Sequence, residues 1–297
     1  MQLQTTIDIP KPAFQISQED KLMLMGSCFA DEIGGKLTTS GFQTMVNPFG
    51  TLYNPASIAV LLLRCISGKA SAEVFQDADT WHSWLHHTRF SAPTKAELLG
   101  RIEEATAAAA AFLQSADVLL LTFGTAIVYR LKESGMLVAN CHKQPDRLFL
   151  RERLSAYDIV DQWQMLLSLL RSVNPNLKVI FTVSPIRHKR DGMHVNQISK
   201  GILLQAVDEL VGCVSAGDYF PSYEIMLDEL RDYRFYADDM VHPSPLAVEY
   251  IWQRFQQTYM SPQTVEQCHV KLKEWKRGQH RQILQCTMND GMEVKSE

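Results

Sequence analysis

The sequence has no excess of positive charge and no long hydrophobic run. Its 297 residues carry 29 Lys and Arg against 33 Asp and Glu, which gives a net charge of −4 with neutral His. A protein that binds nucleic acid through the phosphates normally has the opposite balance, so no nucleic-acid partner is expected. The most apolar stretches, at 58–63 and 116–123, are far shorter than the roughly 20 residues that cross a bilayer, and no membrane span is expected.

The amino terminus lacks the features of a secretory signal. The stretch MQLQTTIDIPKPAF has neither a basic start nor an apolar core, which predicts a cytoplasmic protein if the chain is complete. The six cysteines are scattered without a C-x-x-C pair. This pattern indicates reduced thiols rather than a disulfide framework or a structural zinc site.

Signature motifs for nucleotides and for catalytic zinc are absent as well. The sequence contains no G-x-x-x-x-G-K-[ST], no G-x-G-x-x-G, no G-x-S-x-G and no H-E-x-x-H. His82 and His86 have a spacing that suits a metal on a helix, but no third ligand is evident. Neither a cofactor nor a metal is therefore expected.

What the sequence does contain is an alternation of short apolar runs with segments of helical periodicity, typical of a layered α/β domain. Buried strands are predicted at 21–26, 117–124 and 177–185, with a shorter one near 218–220. Helices are predicted from Cys28 to Gly41 and at 103–114, 157–173 and 244–260. The composition, 46% hydrophobic and 21% charged, fits a folded globular domain.

Two stretches, 65–102 and 126–156, do not follow the alternating pattern. We predict that they are insertions over the carboxyl edge of the sheet, where α/β proteins bind their ligands. One elaborated domain is predicted over residues 1–260. The charged tail at 261–297 is expected to be helical.

The first predicted strand ends in a turn, Gly26–Ser27–Cys28, that places a hydroxyl and a thiol at the start of a helix. The backbone N–H groups and the helix dipole favour negative charge there, so the turn suits a nucleophile and an oxyanion. The alternative is a turn of small residues chosen for their size, with Ser27 as the helix cap.

Asp239 and His242 form a D-x-x-H motif just before the last long predicted helix of the domain. At this spacing the carboxylate can orient the imidazole, which then serves as general base and later as general acid. Asp238 could replace Asp239 if the loop runs differently, and the alternative is a capping Asp beside a surface His. The order nucleophile, Asp, His along the chain favours a catalytic triad.

The string GSCFADEIG at 26–34 resembles the motif that gives the GSCFA family its name, a family related to the SGNH (GDSL-like) esterases. Further similar strings follow in order: NPFGTLYNP at 47–55, FGTAIVY at 123–129, ANCHKQP at 139–145, TVSPIRH at 182–188 and LRDYRFYADDMVHPS at 230–244. The resemblance covers residues 20–255. It implies acyl-ester chemistry on a flavodoxin-like three-layer α/β/α sandwich with a parallel sheet of about five strands.

The resemblance also implies a nucleophile. In GDSL-type enzymes the nucleophile is the third residue of the motif, and laying G-D-S-L on residues 26–29 places Cys28 at that position. A shift of one residue would place Ser27 there instead. Both residues are candidates, and Cys28 is slightly preferred because a thiol at a helix start beside an imidazole is a sound nucleophile.

In the superfamily that this sequence resembles, the oxyanion hole has three donors: the nucleophile's own N–H, a glycine N–H and an asparagine side chain. Gly50 is the candidate for the glycine. Ala126 stands where the asparagine is expected, so Thr125 or Asn140 would have to supply the missing donor. Asn54 is expected to hold a turn beside the following proline.

Three further residues are predicted to contact substrate. Arg187 and His188 follow the third strand at the ligand-facing edge, where they could meet an anionic group, although solvated loop charges are an equal alternative. Trp84, together with Trp81 and Phe90, is predicted to form an apolar wall over the site.

Taken together, these features predict an SGNH-like esterase that removes an acyl group, such as acetyl, from a small molecule or saccharide. An acyltransferase on the same site is the first alternative. A non-catalytic sandwich that binds a ligand or a protein is the second, and Ala126 favours it. The oligomeric state does not follow from the sequence.

Overall fold

Strands and helices alternate along most of the chain in the structure, a computed structural model that describes residues 5–69, 73–214 and 216–290, with side chains as far as 279. The strands are β1 (Lys21–Gly26), β2 (Gln43–Val46), β3 (Val74–Asp77), β4 (Thr80–Ser83), β5 (Val118–Phe123), β6 (Ile127–Leu131), β7 (Leu137–Val138), β8 (Phe149–Arg153), β9 (Lys178–Val183) and β10 (Gly217–Tyr219). The helices are α1 (Cys28–Thr39), α2 (Pro55–Ser67), α3 (Lys95–Ser115), α4 (Ala156–Val173), α5 (Met193–Val211), α6 (Ser222–Glu224), α7 (Pro245–Tyr259) and α8 (Pro262–Asp290).

The central sheet has five parallel strands in the order β2–β1–β5–β9–β10. Counted along the chain, this is the 2-1-3-4-5 order of flavodoxin-like folds. Strands β1, β5 and β9 are apolar and almost wholly buried because helices cover both faces of the sheet. The predicted α/β/α sandwich is confirmed, and so are the strands at its centre.

Helices pack on the two faces of the sheet around separate cores. Side chains of α2, α4 and α5 fill one face, and those of α1 and α7 fill the other. On the first face the ring of Trp163 lies edge-on to Phe123 and Phe181, with centroid distances of 5.0 and 6.1 Å. Full burial of such a side chain contributes roughly 1.5–3 kcal/mol, so these contacts fix α4 on the sheet.

The periodicity missed helices α2 and α5 and the edge strand β2. Helix α2 contains the run IAVLLL and is buried on nearly every side, so it shows no polar stripe. Its start is nevertheless marked in the sequence, because Asn54 caps it and Pro55 occupies its first position. Strand β2 has only four residues and lies at the edge of the sheet, where hydrophobic patterning is weakest.

The two stretches outside the alternating pattern form small sheets of their own. The first contains the β3–β4 hairpin and then runs into α3, which begins at Lys95 rather than at the predicted 103. The second folds into the antiparallel sheet β7–β6–β8. Residues of both line a cavity beyond the carboxyl ends of β5 and β9.

Helix α7 ends at Tyr259, and α8 begins at Pro262. The first turns of α8 pack against the domain through the buried Cys268, whose Sγ accepts a hydrogen bond from Gln18 Nε2 at 3.4 Å. The division into a domain at 1–260 and a tail at 261–297 stays a prediction. None of the helices in the described ranges combines the length and the apolar composition that a bilayer crossing needs.

Candidate active site

Strand β1 passes into α1 through a turn that requires glycine at position 26. Gly26 has a φ of 147°, and a Cβ at this position would lie 2.2 Å from the carbonyl oxygen of Thr122 in β5. Its N–H donates to Asn47 Oδ1 at 2.8 Å, and its carbonyl accepts from the N–H of Leu52 at 2.8 Å. Contacts from β5 and from the loop after β2 therefore fix the turn.

Ser27 is fully buried and acts as the cap of α1. Its Oγ accepts a hydrogen bond from the N–H of Phe29 at 3.3 Å and donates to Ser184 Oγ at 2.9 Å. The hydroxyl thus points into the protein and is engaged on both sides. Ser27 has the geometry of the structural cap that the sequence offered as its alternative role.

Cys28 is the first residue of α1 and is partly exposed. The N–H groups of a first helical turn have no intrahelical acceptor, so they favour negative charge on a group bound beside them. The Sγ lies 3.7 Å from the hydroxyl of Tyr53. Burial, and then the neighbouring Cys28, raise the pKa of Tyr53 above its usual value, which keeps that hydroxyl protonated and able to donate to the sulfur.

Asp239 and His242 form a hydrogen-bonded pair in the loop before α7. Asp239 Oδ2 lies 2.6 Å from His242 Nδ1, while Oδ1 accepts from the N–H groups of Val241 at 2.8 Å and His242 at 3.0 Å. These bonds, the backbone N–H of His242 first, hold the pKa of Asp239 well below its usual range. The carboxylate thus fixes Nδ1 as the protonated nitrogen and leaves the lone pair on Nε2.

The D-x-x-H loop is tied to the loop that follows β9. The N–H of Arg187 donates to the carbonyl of Val241 at 3.2 Å, and the N–H of Ala237 donates to that of His242 at 2.8 Å. Met240 adopts a left-handed conformation with a φ of 59° inside this turn. The pair is open to solvent, with side-chain exposures of 45% for His242 and 48% for Asp239.

A cavity of about 560 Å³ lies beyond the carboxyl edge of the sheet, lined in part by Tyr53 and His242. It also brings together four residues singled out from the sequence: Thr125, Asn140, Arg187 and His188. Cys28 borders it through the contact with Tyr53. A larger groove of about 860 Å³ between α1, α7 and α8 contains none of these groups.

Gly50 is committed to a turn rather than to the cavity. Its φ is 89°, its N–H donates to the carbonyl of Asn47 at 2.8 Å, and a Cβ here would lie 2.1 Å from His87 Cβ. Thr125 is engaged in the same way, because its N–H donates to the carbonyl of Tyr53 and its Oγ1 lies 3.0 Å from Ser199 Oγ. Neither residue offers the oxyanion donor expected of it.

Two asparagines have side-chain amides that could donate into the cavity. Asn140 Oδ1 accepts from the N–H of His142 at 2.9 Å, and Asn54 Oδ1 accepts from the N–H of Ser57 at 2.8 Å. Both residues line the cavity, and neither amide nitrogen has a hydrogen-bond partner within the described ranges. The sequence indicated Asn140 as a donor but assigned Asn54 only to a turn.

A buried lysine from α5 lies beneath the site. Lys200 Nζ donates to the carbonyl of Gly124 at 2.7 Å and to that of Ser184 at 2.6 Å, which ties together the ends of β5 and β9. Complete burial lowers the pKa of Lys200 to about 7. Next to it, Ser199 Oγ accepts from the N–H of Ala126 at 2.7 Å. The signal in the sequence was a charged residue within the apolar pattern ISKGILL.

His188 lies between the lysine and the cavity. Its ring meets the ring of Tyr53 edge-on at 5.8 Å, and the backbone N–H of His188 donates to Asn196 Oδ1 at 2.9 Å. Burial, and then the charges of Lys200 and His242, lower the pKa of His188 to about 4. The imidazole is therefore neutral at physiological pH.

Trp84 does not line the cavity. Its ring stacks on Phe75 at 3.7 Å and meets Phe149 edge-on at 5.7 Å, so it belongs to the core between the two insertions. Its carbonyl accepts from the N–H of Asn140 at 3.0 Å and so positions that asparagine. The segment around it forms β4 and a turn rather than a helix, and no cluster of potential metal ligands occurs in the part of the chain that the structure describes.

Comparisons with known proteins agree with the resemblance noted in the sequence. The sequence profile of the GSCFA family matches residues 21–255. No curated protein matches the chain significantly.

Among solved structures, the fold is similar to three esterases. One is a carbohydrate esterase of family 3 from Talaromyces cellulolyticus, with 11% identity, a TM-score of 0.38 and coverage of 80% of this chain and 95% of that one. The family 3 carbohydrate esterase of Clostridium thermocellum is 11% identical, with a TM-score of 0.37 and coverage of 85% of this chain and 98% of that one. The acetyl xylan esterase Est2A of Butyrivibrio proteoclasticus is 12% identical, with a TM-score of 0.37 and coverage of 84% of this chain and 64% of that one.

Proposed function

This chain belongs to the GSCFA family, and we propose that it is an ester hydrolase in which Cys28 is the nucleophile, His242 the general base and Asp239 the residue that orients the base. The observation that carries the proposal is the Asp239–His242 pair, whose imidazole lines the same cavity as Tyr53, the contact of Cys28. Ser27 is the weaker candidate, because its hydroxyl is buried and engaged.

The reaction begins with transfer of the Cys28 thiol proton to His242 Nε2. The sulfur forms a bond to the ester carbonyl carbon, and the carbonyl electrons move to oxygen. When this adduct collapses, the bond to the alcohol oxygen breaks and the alcohol takes the proton from His242. Water then attacks the acyl thioester with His242 as base, and the proton returns to sulfur as the acid leaves.

The developing oxyanion needs donors that are already in place. The N–H of Cys28, which at the start of α1 has no intrahelical acceptor, is one, and the amide groups of Asn54 and Asn140 are the candidates for the others. Loss of one such donor typically costs about 2.7–4 kcal/mol of barrier. These asparagines therefore take the place of the side chain that Ala126 lacks.

The chemical class of the substrate follows from this machinery. We propose a carboxylic ester of a small molecule or saccharide, an O-acetyl ester among them. If the acyl group passes to an added alcohol faster than to water, the same residues support an acyltransferase instead.

The direct test is to map the residue that iodoacetamide and a fluorophosphonate modify in the native protein. We expect Cys28 to react about tenfold faster than Cys141, which lines the same cavity but whose pKa burial raises to about 11. His242→Ala should remove this difference. Ser27→Ala should keep it, while losing about 1 kcal/mol of stability with the helix cap.

The controls separate the two candidate nucleophiles. Cys28→Ala must abolish both labelling at this turn and hydrolysis of p-nitrophenyl acetate. Modification at Ser27 would transfer the role to the serine. Cys28 labelling no faster than that of Cys141, and independent of His242, would favour a non-catalytic binding protein.

A further inference from the structure

The cavity carries a positive charge that the proposed ester hydrolysis does not use. Its charged lining residues, apart from the histidines, are Arg187, Lys189, Arg190 and Asp191. Two of them are neutralised, because Arg190 pairs with Asp146 at 2.9 Å and Asp191 pairs with Arg151. Arg187 and Lys189 are left without a carboxylate partner among the described residues.

Arg187 is held by aromatic rings instead of by a carboxylate. Its guanidinium lies 3.7 Å from the ring centroid of Tyr236 and 5.6 Å from that of Tyr233. Its Nε is buried and has no hydrogen-bond partner within the described ranges. Asp232, the acid next to Tyr233 in the chain, pairs with Arg234 at 3.2 Å. A stacked guanidinium keeps its charge and its planar set of donors for a ligand.

The backbone of Arg187 is tied to the loop that carries the proposed base. The N–H of Arg187 donates to the carbonyl of Val241, the residue that precedes His242. Arg187 and His242 both line this cavity, and Arg187 also lines the adjoining pocket with Tyr233 and Tyr236. A substrate that extends from His242 toward these two rings therefore comes within reach of Arg187. A loop charge that only faced water would need neither two aromatic rings nor a buried Nε.

We propose that the ester substrate carries an anionic oxygen group, a carboxylate or a phosphate, and that Arg187 binds it. That the ligand is an ester rests on the proposed function, whereas the anion site itself does not. An arginine matches such groups through two parallel N–H donors, which is stronger and more specific than a contact with a neutral group. The side chains of His242 and Asp239 already bind each other.

The test uses Cys28 as a local reporter, so it does not depend on turnover. Iodoacetate carries a carboxylate and iodoacetamide does not, and the ratio of their alkylation rates at Cys28 measures attraction of an anion into the cavity. We expect Arg187→Gln to lower this ratio about fivefold to tenfold, the effect of losing a charge-assisted hydrogen bond. Arg234→Gln, between Tyr233 and Tyr236 but outside the cavity, should leave this ratio unchanged.

Two further measurements complete the design. Glutarate should raise the Tm of the native protein and of Arg234→Gln but not that of Arg187→Gln. If esters are hydrolysed, the preference for mono-p-nitrophenyl glutarate over p-nitrophenyl butyrate in kcat/KM should fall about tenfold in Arg187→Gln.

The outcomes are distinguishable. Equal alkylation ratios in the native protein, Arg187→Gln and Arg234→Gln overturn the anion site. If Cys28 reacts with neither reagent, the glutarate measurement decides, and stabilisation that survives in Arg187→Gln overturns the anion site. Anion effects that depend on Arg187, with no hydrolysis of either ester, support the anion site and contradict the esterase proposal.

Discussion

The two halves of the candidate site are held in opposite ways. The turn that carries the proposed nucleophile is buried at Gly26 and Ser27, and distant segments fix it. Thr122 approaches Gly26, Ser184 binds Ser27, and Lys200 binds the strand ends beside them. The D-x-x-H loop is exposed, and hydrogen bonds within a few residues shape it around Asp239.

This difference separates stability from activity. A change in the buried turn removes hydrogen bonds that water cannot replace, so it lowers the free energy of unfolding. A change in the exposed loop leaves groups that water can solvate, so its cost falls on the chemistry alone. Substitutions in each half can show whether the separation holds.

The largest expected effect comes from His242→Ala in the exposed loop. Loss of the proposed general base should lower kcat/KM for ester hydrolysis about 100-fold to 10,000-fold. Because the side chain is half exposed, the free energy of unfolding should change by no more than about 0.5 kcal/mol. Steady-state kinetics and urea denaturation of the same preparation check both parts.

Either part can fail independently. Activity that survives His242→Ala removes the triad, whatever the stability shows. A large loss of stability would mean that the exposed loop supports the fold and that the two halves do not differ as described.

Lys200→Met is the matching change beneath the buried turn. It leaves the carbonyls of Gly124 and Ser184 without their donor, and each unpaired buried group costs about 1–3 kcal/mol. We expect a loss of about 2–4 kcal/mol in the free energy of unfolding, partly offset because the apolar side chain need not be desolvated. Lys132→Met, at an exposed position, is the control.

The pH dependence of this variant sharpens the comparison. The pKa of Lys200 falls from 10.5 to about 7 on folding, so the unfolded chain binds more protons between these values and stability falls as the pH drops from 10.5 to 7. In Lys200→Met this slope should disappear. An unchanged slope, or undiminished stability, would show that the amine does not secure the turn.

The local half of the site was predictable from sequence, and the distant half was not. D-x-x-H already contains the carboxylate, the imidazole and the turn between them, and Asp239 rather than Asp238 binds the ring. Gly26–Ser27–Cys28 indicated the nucleophile turn, but only the fold shows that Ser27 faces inward and Cys28 outward.

The fold followed the same rule. The central strands and α1, α4 and α7 have strong periodicity and were predicted, whereas α2 is too deeply buried to show a polar face. Helix α5 has an exposed polar face, but the polar residues Asn196, Ser199 and Lys200 interrupt its buried face and weaken its apolar stripe. Missing α5 meant missing Lys200, whose partners are two backbone carbonyls that no pattern of residues reveals. The same limit explains Gly50, which has the expected residue type but an N–H already bound in a turn.

The smallest expected effect concerns His188, which lies between the two halves. Its pKa falls from 6.5 to about 4 in the folded protein, first through burial and then through the charges of Lys200 and His242. Between these pH values the unfolded chain holds the proton and the native protein does not, so stability falls as the pH drops from 6.5 to 4 and levels off below.

At about 1.4 kcal/mol per pKa unit, the loss attributable to His188 is on the order of 1–3 kcal/mol. His188→Gln should flatten the slope of the free energy of unfolding over this window, whereas the exposed His194→Gln should not. His86, whose pKa burial lowers to about 3, adds a slope of the same sign that both variants retain. Urea denaturation at several pH values between 4 and 7 measures the slope of the free energy of unfolding in each variant. Equal slopes in the two variants would show that the imidazole of His188 is solvated rather than packed between the buried turn and the exposed loop.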